Sequence, residues 1–252
     1  MTRFVVCGET LIDLVPAEGA VDDSFRSMWQ ALSAGGPMNS AVALGKLGAD
    51  VHFLGRLSND AFGAQLRRHI LGSNVALDLA TESSQPTSIA VVSLDDGGVA
   101  SYTFHFSETA NFGWQADDLP TLKAEDWLHI ASLSCVVNPG AAVLLDWMRR
   151  VPSGVSYDIN VRPTVITLGP GGGAAVEPGG KITRVNGFPT KVVDTVGAGD
   201  TFMAGFLDGR VKLGTDLESS LRRGAAAASI VCSRRGAQPP TSAEVDALIA
   251  AD

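Results

Sequence analysis

The sequence predicts an α/β fold: a central, mostly parallel β-sheet flanked by helices in three αβα layers, with a small β-sheet lid. Three observations support this prediction. Short apolar runs alternate with segments of helical periodicity along most of the chain. Two hairpin signals interrupt the alternation, as expected if part of the chain forms a separate small sheet. The chain has 252 residues, of which 45% are hydrophobic, enough to build one large domain spanning 1–252.

The first half of the chain contains two strand–helix pairs. Residues 4–7 and 51–54 are short apolar runs typical of buried parallel strands. Residues 39–47 and 62–71 have the apolar spacing of helices. The intervening stretch, 13–34, starts with apolar residues and turns polar and irregular, so we assign it to the lid.

The second half begins with a hairpin signal and then resumes the alternation. The turn 95–98, Asp-Asp-Gly-Gly, lies between two β-like runs and places the second part of the lid within 86–110. The remaining predicted elements are strands at 127–131, 154–159 and 165–168, a helix at 141–150, a hairpin joining 174–176 to 181–185, and helices at 217–232 and 243–250.

Charge and cysteine content exclude several classes of function. The formal net charge of −8 argues against a nucleic-acid or anionic-membrane partner, because phosphate backbones require a clustered positive surface. Cys7, Cys135 and Cys232 are far apart and odd in number, which fits neither a disulfide framework nor a metal site. The N-terminus turns polar too early for a signal peptide, and no stretch is long enough to cross a bilayer. We therefore expect a soluble cytoplasmic protein.

One segment carries most of the chemical information. Residues 194–200, Asp-Thr-Val-Gly-Ala-Gly-Asp, form a turn of small residues that runs into an apolar helical stretch. The first amides of a helix have no intrahelical acceptor, and the helix dipole is positive at that end, so such a turn suits a phosphate. Asp200 lies within this turn. A carboxylate beside an anion site suggests a general base next to a phosphoryl group, although an Asp in this position is also a common helix cap.

The same segment, D-T-x-G-A-G-D-T-F-x-A-G-F, resembles the C-terminal signature of the ribokinase-like (PfkB) carbohydrate kinases. Further resemblances occur in family order through nearly the whole chain. They are the Gly-Gly-Pro-Met-Asn stretch at 35–39, the turn at 55–63, Pro86-Thr87, the D-x-N-x-R-P string at 158–163, 167–170, and Arg-Arg-Gly-Ala-Gln-Pro at 234–239. Ser58 stands where the family usually has Gly, so the turn at 55–63 departs from the family pattern at this position.

The resemblance implies a catalytic role for the turn that starts the helix. Asp200 would take the proton from a sugar CH₂OH group as that group attacks the γ-phosphate of ATP. The N–H groups of Gly197, Ala198 and Gly199 would hold the charge that gathers on the transferred phosphoryl group. Phosphoryl transfer depends mainly on such positioning and charge stabilisation.

The resemblance also implies a sugar site. It comprises Asp13, Gly35, Gly36 and Asn39, whose relatives bind the sugar hydroxyls, and an Asp can accept two hydroxyls at once. The alternatives are a solvated loop residue for Asp13, a turn for the glycines and a helix cap for Asn39. Two further residues could contact the substrate, but structural roles are as plausible for them. They are Arg162, which could instead pair with Asp158, and Tyr102, which could pack on an edge strand of the lid.

The nucleotide should lie near a second set of residues, by the same resemblance: Thr167, Gly169, Gly172, Thr195, Gly197 and Gly199. Residues 169–174 also match a loose G-x-G-x-x-A, but a dinucleotide fingerprint must open a helix, and this one leads into a hairpin. A P-loop is absent too, because Gly45-Lys46 is followed by Leu rather than Ser or Thr.

Taken together, the motifs predict ATP-dependent phosphorylation of a sugar, most like a fructokinase. The alternatives are a 2-keto-3-deoxygluconate, other sugar or nucleoside kinase, or an inactive sugar- or nucleotide-binding relative. Mg²⁺ should bridge the ATP phosphates. A potassium requirement stays open, because 234–239 resembles a monovalent-cation loop but Pro240 replaces a Ser ligand. A lid with exposed strand edges would suit a homodimer.

The sequence departs from the family at one place. Pro163 runs directly into Thr164, whereas relatives carry several dozen residues there, including a strand, a helix and a metal-associated Asn-x-x-Glu motif. Either the protein lacks this segment, or the printed sequence joins two stretches that are separate in the full protein. We favour the second explanation, because deleting a central strand and helix should cost more than the roughly 5–15 kcal/mol of net stability of a domain. No metal ligand can be named without the segment.

Overall fold

The computed structural model describes residues 2–17, 25–94, 100–158, 169–176 and 182–252. The strands are β1 Arg3–Cys7, β2 Leu11–Pro16, β3 Trp29–Ala34, β4 Asp50–Leu54, β5 Arg56–Ser58, β6 Thr81–Ser83, β7 Ile89–Leu94, β8 Ala100–His105, β9 Trp127–Ala131, β10 Gly154–Asp158, β11 Gly173–Val176 and β12 Ile182–Val185. The α-helices are α1 Gly36–Lys46, α2 Ala61–Leu71, α3 Ala141–Met148, α4 Ala198–Leu207, α5 Leu217–Cys232 and α6 Ser242–Ala250.

The central sheet is parallel throughout and has the strand order β10-β9-β1-β4. Alternate residues of β1 point to opposite faces, so Phe4 and Val6 join one apolar cluster while Val5 and Cys7 join another. Helices α1, α2 and α4 cover the first face, and α3 covers the second. Helices on both faces of a parallel sheet confirm the predicted three-layer α/β fold.

A second, smaller sheet has the order β3-β2-β7-β8. Its two halves are antiparallel pairs, β2 with β3 and β7 with β8, and they join through the parallel pair β2 with β7. The strands fall in the two stretches that the sequence assigns to the lid. Strands β2 and β3 lie where the sequence analysis placed no defined strand, because pairing across the sheet decides their conformation rather than local pattern.

The part of the chain after β10 adds a hairpin and the helices α4, α5 and α6. Strands β11 and β12 form the predicted antiparallel hairpin, and an apolar cluster joins them to α5 and α6. The close packing of α4 on α5 depends on glycine: a side chain at Gly205 would lie 2.9 Å from the Arg223 carbonyl oxygen. Helix α4, and with it the predicted catalytic turn, packs into two apolar clusters: the one shared with α1 and α2, and the one shared with α5 and α6.

Candidate active site

Helix α4 begins at a left-handed residue. Gly197 has φ +74°, and a Cβ there would lie 2.9 Å from the Ala237 Cβ, so this position favours glycine twice over. Asp194 holds the turn in place with both carboxylate oxygens. Its Oδ1 accepts the Val196 N–H at 3.0 Å, and its Oδ2 accepts the Gly236 N–H at 2.8 Å. The turn is therefore fastened to the loop that precedes α6.

The three amides expected to hold a phosphate differ in availability. The Ala198 N–H donates to the Thr195 carbonyl oxygen at 3.2 Å, inside the turn. The Gly197 and Gly199 N–H groups have no acceptor among the described residues. Gly199 is exposed, and nothing lies within 4 Å of the position that its Cβ would take. An open space with unbonded donors at the positive end of α4 suits an anion.

Asp200 lies in the first turn of α4, directly beside this space. The Asn39 side-chain N–H donates to Asp200 Oδ2 at 3.2 Å, which joins the start of α1 to the start of α4. Burial raises the pKa of Asp200 to about 7. The hydrogen bond from Asn39 lowers this pKa, and the negative charges of Asp158 and Glu9 raise it further. A carboxyl with a pKa near neutrality is well matched to a general base.

Glu9 is a participant that the sequence analysis did not identify. It lies two residues after β1, has only 2% of its surface exposed, and accepts a hydrogen bond from the Ser134 hydroxyl. Asp158, at the end of β10, enters the sequence analysis in the D-x-N-x-R-P string and as a partner for Arg162. Because carboxyl ends of parallel strands share one edge of a sheet, both acids lie at the edge that faces α4. The sequence signal for Glu9 is a charged residue just beyond an apolar strand, separated from it by Gly8.

The glycines before α1 allow the backbone to pass close to this edge. Gly35 has φ +123°, and a Cβ there would lie 2.7 Å from the Glu9 carbonyl oxygen. Gly36 is the first residue of α1, and the Asn39 N–H closes the first turn on the Gly35 carbonyl oxygen at 2.8 Å. Asn39 is half-buried, with its amide aimed at Asp200.

Asp13 lies within the lid sheet and not in a loop. On β2 it is paired with Leu32 of β3 and with Ala90 of β7. Ala90 is in turn paired with Phe104 of β8. Because laterally paired residues point to the same side of a sheet, Asp13, Leu32 and Phe104 share one face. The next residue, Ile12, points the other way and is fully buried in the cluster beneath α1.

The Asp13 carboxyl has no hydrogen-bond partner among the described residues. It is half-buried, and burial raises its pKa to about 6. Among the described residues, no hydrogen bond joins it to Asn39 or Asp200. A half-buried carboxylate without a donor has room for the hydroxyls of a ligand.

Tyr102 continues the same face of the lid, because it lies two residues before Phe104 on β8. The two rings are stacked, with centroids 5.9 Å apart, and are 48% and 52% exposed. Phe106 follows at 4.8 Å from Phe104 and contacts the buried Phe112. The lid face thus carries a half-buried acid beside two exposed aromatic rings, so a polar group lies next to a large apolar surface.

The predicted nucleotide residues are only partly described. Gly169 has φ +57° with open space around it, whereas a Cβ at Gly172 would lie 2.2 Å from the Val185 carbonyl oxygen. Gly172 therefore has a clear structural role in the turn before β11. Thr195 is exposed beside the anion space. Arg162 and Thr167 lie outside the described residues, as do the predicted strand at 165–168 and the turn at 95–98.

No group of three His, Cys, Asp or Glu side chains in the described ranges could hold a metal ion. Among the helices of the described chain, none combines the length and the apolar character needed to span a bilayer.

Comparison with known proteins gives consistent results. The model of the family described as "pfkB family carbohydrate kinase" matches residues 1–164 and 157–244. Fructokinase of Klebsiella pneumoniae is 26% identical over 264 residues, covering 82% of this chain and 84% of the relative. Fructokinase of Vibrio alginolyticus is 30% identical over 169 residues, or 66% of this chain, and the chain spans 53% of that protein.

The solved structures show the same fold. A crystal structure of fructokinase from Vibrio cholerae, described as bound to fructose, ADP and calcium ion, superimposes with a TM-score of 0.84. The match covers 98% of this chain and 99% of that chain at 23% identity, so it speaks for the fold alone. Because the family model covers far more than half of the sequence, this chain belongs to the pfkB family of carbohydrate kinases.

Proposed function

We propose that this protein transfers the γ-phosphoryl group of ATP to a hydroxymethyl group of a sugar, and that the sugar is fructose. The proposal rests on the pKa and the position of Asp200. This residue combines a pKa near 7 with a place in the first turn of a helix whose leading amides at Gly197 and Gly199 have no acceptor. A base and an anion site side by side are the two parts that phosphoryl transfer to an alcohol needs.

In this proposal the unprotonated Asp200 accepts the hydroxyl proton as the sugar oxygen attacks the γ-phosphorus. The new O–P bond forms while the bond from that phosphorus to the β,γ-bridging oxygen breaks, and ADP leaves. The Gly197 and Gly199 N–H groups stabilise the charge on the transferred group. The Ala198 N–H would join them if it left the Thr195 carbonyl oxygen for a phosphate oxygen. Asn39 holds the Asp200 carboxylate in place through its hydrogen bond.

The lid supplies the proposed sugar contacts. Asp13 offers two oxygens to hydroxyls, and Tyr102 and Phe104 offer ring faces on the same side of the sheet. Gly35 and Gly36 let the backbone approach the sugar. Arg162 would supply a further contact to it. The two relatives named above are fructokinases, which supports fructose over 2-keto-3-deoxygluconate and nucleosides as the acceptor.

ATP would lie near Thr167, Gly169, Gly172 and Thr195, with its γ-phosphate at Gly197 and Gly199. Mg²⁺ bound with the nucleotide would neutralise part of the phosphate charge. Nucleotide-bound Mg²⁺ usually takes most of its ligands from phosphate oxygens and water. Rates in potassium and in sodium salts would decide whether the loop at 234–239 needs a monovalent cation.

A coupled ADP-release assay tests the proposal directly. Fructose, ribose, 2-keto-3-deoxygluconate and adenosine are compared at equal concentration with ATP and Mg²⁺, and a reaction without acceptor corrects for ATP hydrolysis. We expect fructose to give the highest kcat/KM. A higher value with another acceptor would overturn the choice of sugar. ADP release with none of the four would favour the inactive, ligand-binding relative.

Two further properties belong to the proposal. Exposed apolar side chains of the lid, among them Met28 and Trp29, support a homodimer that covers them. Sedimentation equilibrium should give twice the mass of the chain, and the mass of a single chain at micromolar protein would count against the dimer. The three free thiols Cys7, Cys135 and Cys232 support a reducing compartment such as the cytoplasm.

We also propose that several dozen residues are absent between Pro163 and Thr164. The alignment to the Klebsiella pneumoniae protein runs over 264 positions, more than the whole chain contains, although it takes in 82% of the chain. The family model matches in two pieces that meet at 157–164. Both facts support a gap at this junction.

A further inference from the structure

A second cavity lies outside the proposed active site. It has a volume of about 490 Å³ and is formed by the ends of α1 and α2 together with the loop that leads into α6. A volume of this size accommodates a small metabolite. Its lining residues are Val42, Lys46, Arg68, His69, Gly72, Ser73, Arg234, Ala237, Gln238, Pro239, Thr241 and Glu244.

Basic side chains dominate the polar part of this lining. Lys46 and Arg68 have neither an ion pair nor a hydrogen bond to any residue that the structure describes, and the same holds for the His69 ring. Burial and the neighbouring Lys46 charge both lower the pKa of His69, as expected where positive groups are held close together. The remaining cation, Arg234, is already neutralised by Glu244 at 2.5 Å.

The one carboxylate in the cavity does not compensate the free cations. Glu244 Oε1 accepts from Arg234, and its Oε2 accepts the Thr241 N–H at 2.8 Å. Both oxygens are therefore engaged, one by Arg234 and one in capping the start of α6. The cavity is left with the charges of Lys46 and Arg68 uncompensated, in a chain whose formal net charge is −8.

Basic residues at helix ends have an ordinary explanation, because they interact favourably with the last carbonyl groups. In α2 those carbonyls are already bonded to other groups. The Arg68 carbonyl oxygen accepts the Gly72 N–H at 2.9 Å, and the His69 carbonyl oxygen accepts the Ser73 hydroxyl at 2.9 Å. Capping therefore does not occupy the Arg68 and His69 side chains, which remain available to a ligand.

From this arrangement we propose that the cavity is a second anion-binding site, which takes a small phosphate-class ligand through Lys46, Arg68 and His69. Arg68 supplies a planar pair of donors suited to two phosphate oxygens, Lys46 a point charge and His69 a ring N–H. Inorganic phosphate and phosphate monoesters share this chemistry. The site differs from the turn at the start of α4, where backbone amides are the proposed donors.

One loop contacts both the cavity and the proposed active site. The loop that contributes Ala237 and Gln238 to the cavity also donates the Gly236 N–H to Asp194. Ala237 lies against Gly197, at the start of α4. A ligand in the cavity would thus rest on the outer side of the loop that holds the catalytic turn.

Calorimetric titration tests the proposal. The protein is first saturated with a non-hydrolysable ATP analogue, so that the α4 site is filled, and is then titrated separately with inorganic phosphate and glycerol 3-phosphate. We expect binding of at least one of them, weakened about tenfold or more by Arg68→Gln, because a charge-assisted hydrogen bond is lost. Tighter binding of the monoester than of phosphate would identify a phosphorylated metabolite as the ligand.

Arg149→Gln is the matched control. Arg149 also follows the end of a helix, α3, so this variant makes the same change of charge at a similar helix end but outside the cavity. It should bind the anions within about twofold of wild type. Lys46→Gln provides a second variant in the cavity should Arg68→Gln fold poorly. Absence of binding in wild type, or equal binding by wild type and both cavity variants, would overturn the proposal.

Discussion

Asp200 illustrates how a single carboxyl can be prepared for proton transfer by its surroundings. Burial and the charges of Glu9 and Asp158 favour its protonated form, while Asn39 favours the ionised form. The balance places the pKa at about 7. An Asp that served only as a helix cap would accept backbone N–H bonds and have a lowered pKa, as Asp216 does at the start of α5.

Replacement of this base is the first prediction. Asp200→Asn preserves the shape of the side chain but removes its ability to accept a proton at neutral pH. We expect turnover to fall by about 10²–10⁴-fold while ATP still binds, because general-base catalysis contributes on that order. Steady-state kinetics with the best acceptor sugar, together with ATP-analogue titration, measure the two effects.

The control is Asp146→Asn, an exposed acid on α3 that pairs with Arg150, and it should leave turnover within about twofold of wild type. The Asp200→Asn protein should also be at least as stable as wild type at pH 8. A carboxyl with a raised pKa binds its proton more tightly in the folded state, so its contribution to stability is lost as pH rises from about 4 to about 7. Turnover within about threefold of wild type would refute the assignment.

The pH profile is the second prediction. Because Asp200 must be unprotonated to act as a base, kcat/KM should rise with pH through an apparent pKa near 7. Asn39→Leu removes the hydrogen bond that lowers this pKa, so the acid limb should move to higher pH. The position of the limb, and not the height of the profile, is the measurement, since Asn39 also belongs to the proposed sugar site. An acid limb that stays in place, or moves to lower pH, would contradict the role given to Asn39.

Gly199 allows a test of the anion space. A Cβ there meets nothing within 4 Å, and alanine is favoured over glycine in a helix by roughly 0.5–1 kcal/mol. We expect Gly199→Ala to be as stable as wild type or slightly more so by thermal unfolding. Its kcat/KM for ATP should nevertheless fall at least tenfold, because the methyl group enters the space proposed for the γ-phosphate.

Gly214→Ala serves as a comparison, since its Cβ also meets nothing but its φ of +66° makes the change strained. We expect that variant to lose stability and keep its kinetic constants. Full activity of Gly199→Ala would mean that the phosphate lies elsewhere.

At the scale of elements, α4 is positioned by a carboxylate in the preceding turn. Asp194 bonds to its own turn through Val196 and to the loop before α6 through Gly236. Asp194→Ala leaves two backbone N–H groups without their acceptor, which should lower stability by about 1–3 kcal/mol. It should also raise the KM for ATP, since the start of α4 is no longer fixed; chemical denaturation and ATP kinetics report the two effects. Asp194→Asn, which retains one acceptor oxygen, should be milder in both, and an unchanged KM in both variants would contradict the coupling.

Elements with a strong local pattern were predictable from sequence. Helix α5 has the predicted bounds, and the β11–β12 hairpin formed where turn residues indicated it. The sequence places lid elements within 13–34 but gives β2 and β3 no individual bounds, because these strands gain stability from pairing across the lid and not from their own periodicity. Asp13 could be named from motif resemblance, but only the strand register reveals that Phe104 and Leu32 share its face.

The same distinction applies to the active site. Asn39 and Asp200 are 161 positions apart, and resemblance to a family named both without predicting their hydrogen bond. The buried acid at Glu9 acts across elements, so no local spacing indicated its effect on Asp200. The internal bond of the Ala198 amide was equally unpredictable, because it depends on the detailed geometry of the turn.

At the scale of the whole molecule, the described central sheet ends in a strand that no further strand covers. Strand β10 stands at one edge of the described sheet, paired only with β9. Val155 on this strand is 40% exposed, unlike the apolar residues of β1 on the inside of the sheet. Exposed edge strands pair readily with other chains, and proteins usually cover them. The proposed absent segment follows β10 in sequence, at the place where a covering strand would be needed.

The mass of the protein made from its own gene is therefore the last prediction. If the printed sequence joins two stretches that are separate in the full protein, intact mass spectrometry should give a value several kilodaltons above the 26.2 kDa of the 252 residues. Peptide mapping should place the extra residues after Pro163. In that protein the amides of β10 should exchange slowly with deuterium, because a further strand would protect them. A mass of 26.2 kDa with rapid exchange along β10 would contradict this and leave the sheet open at that edge.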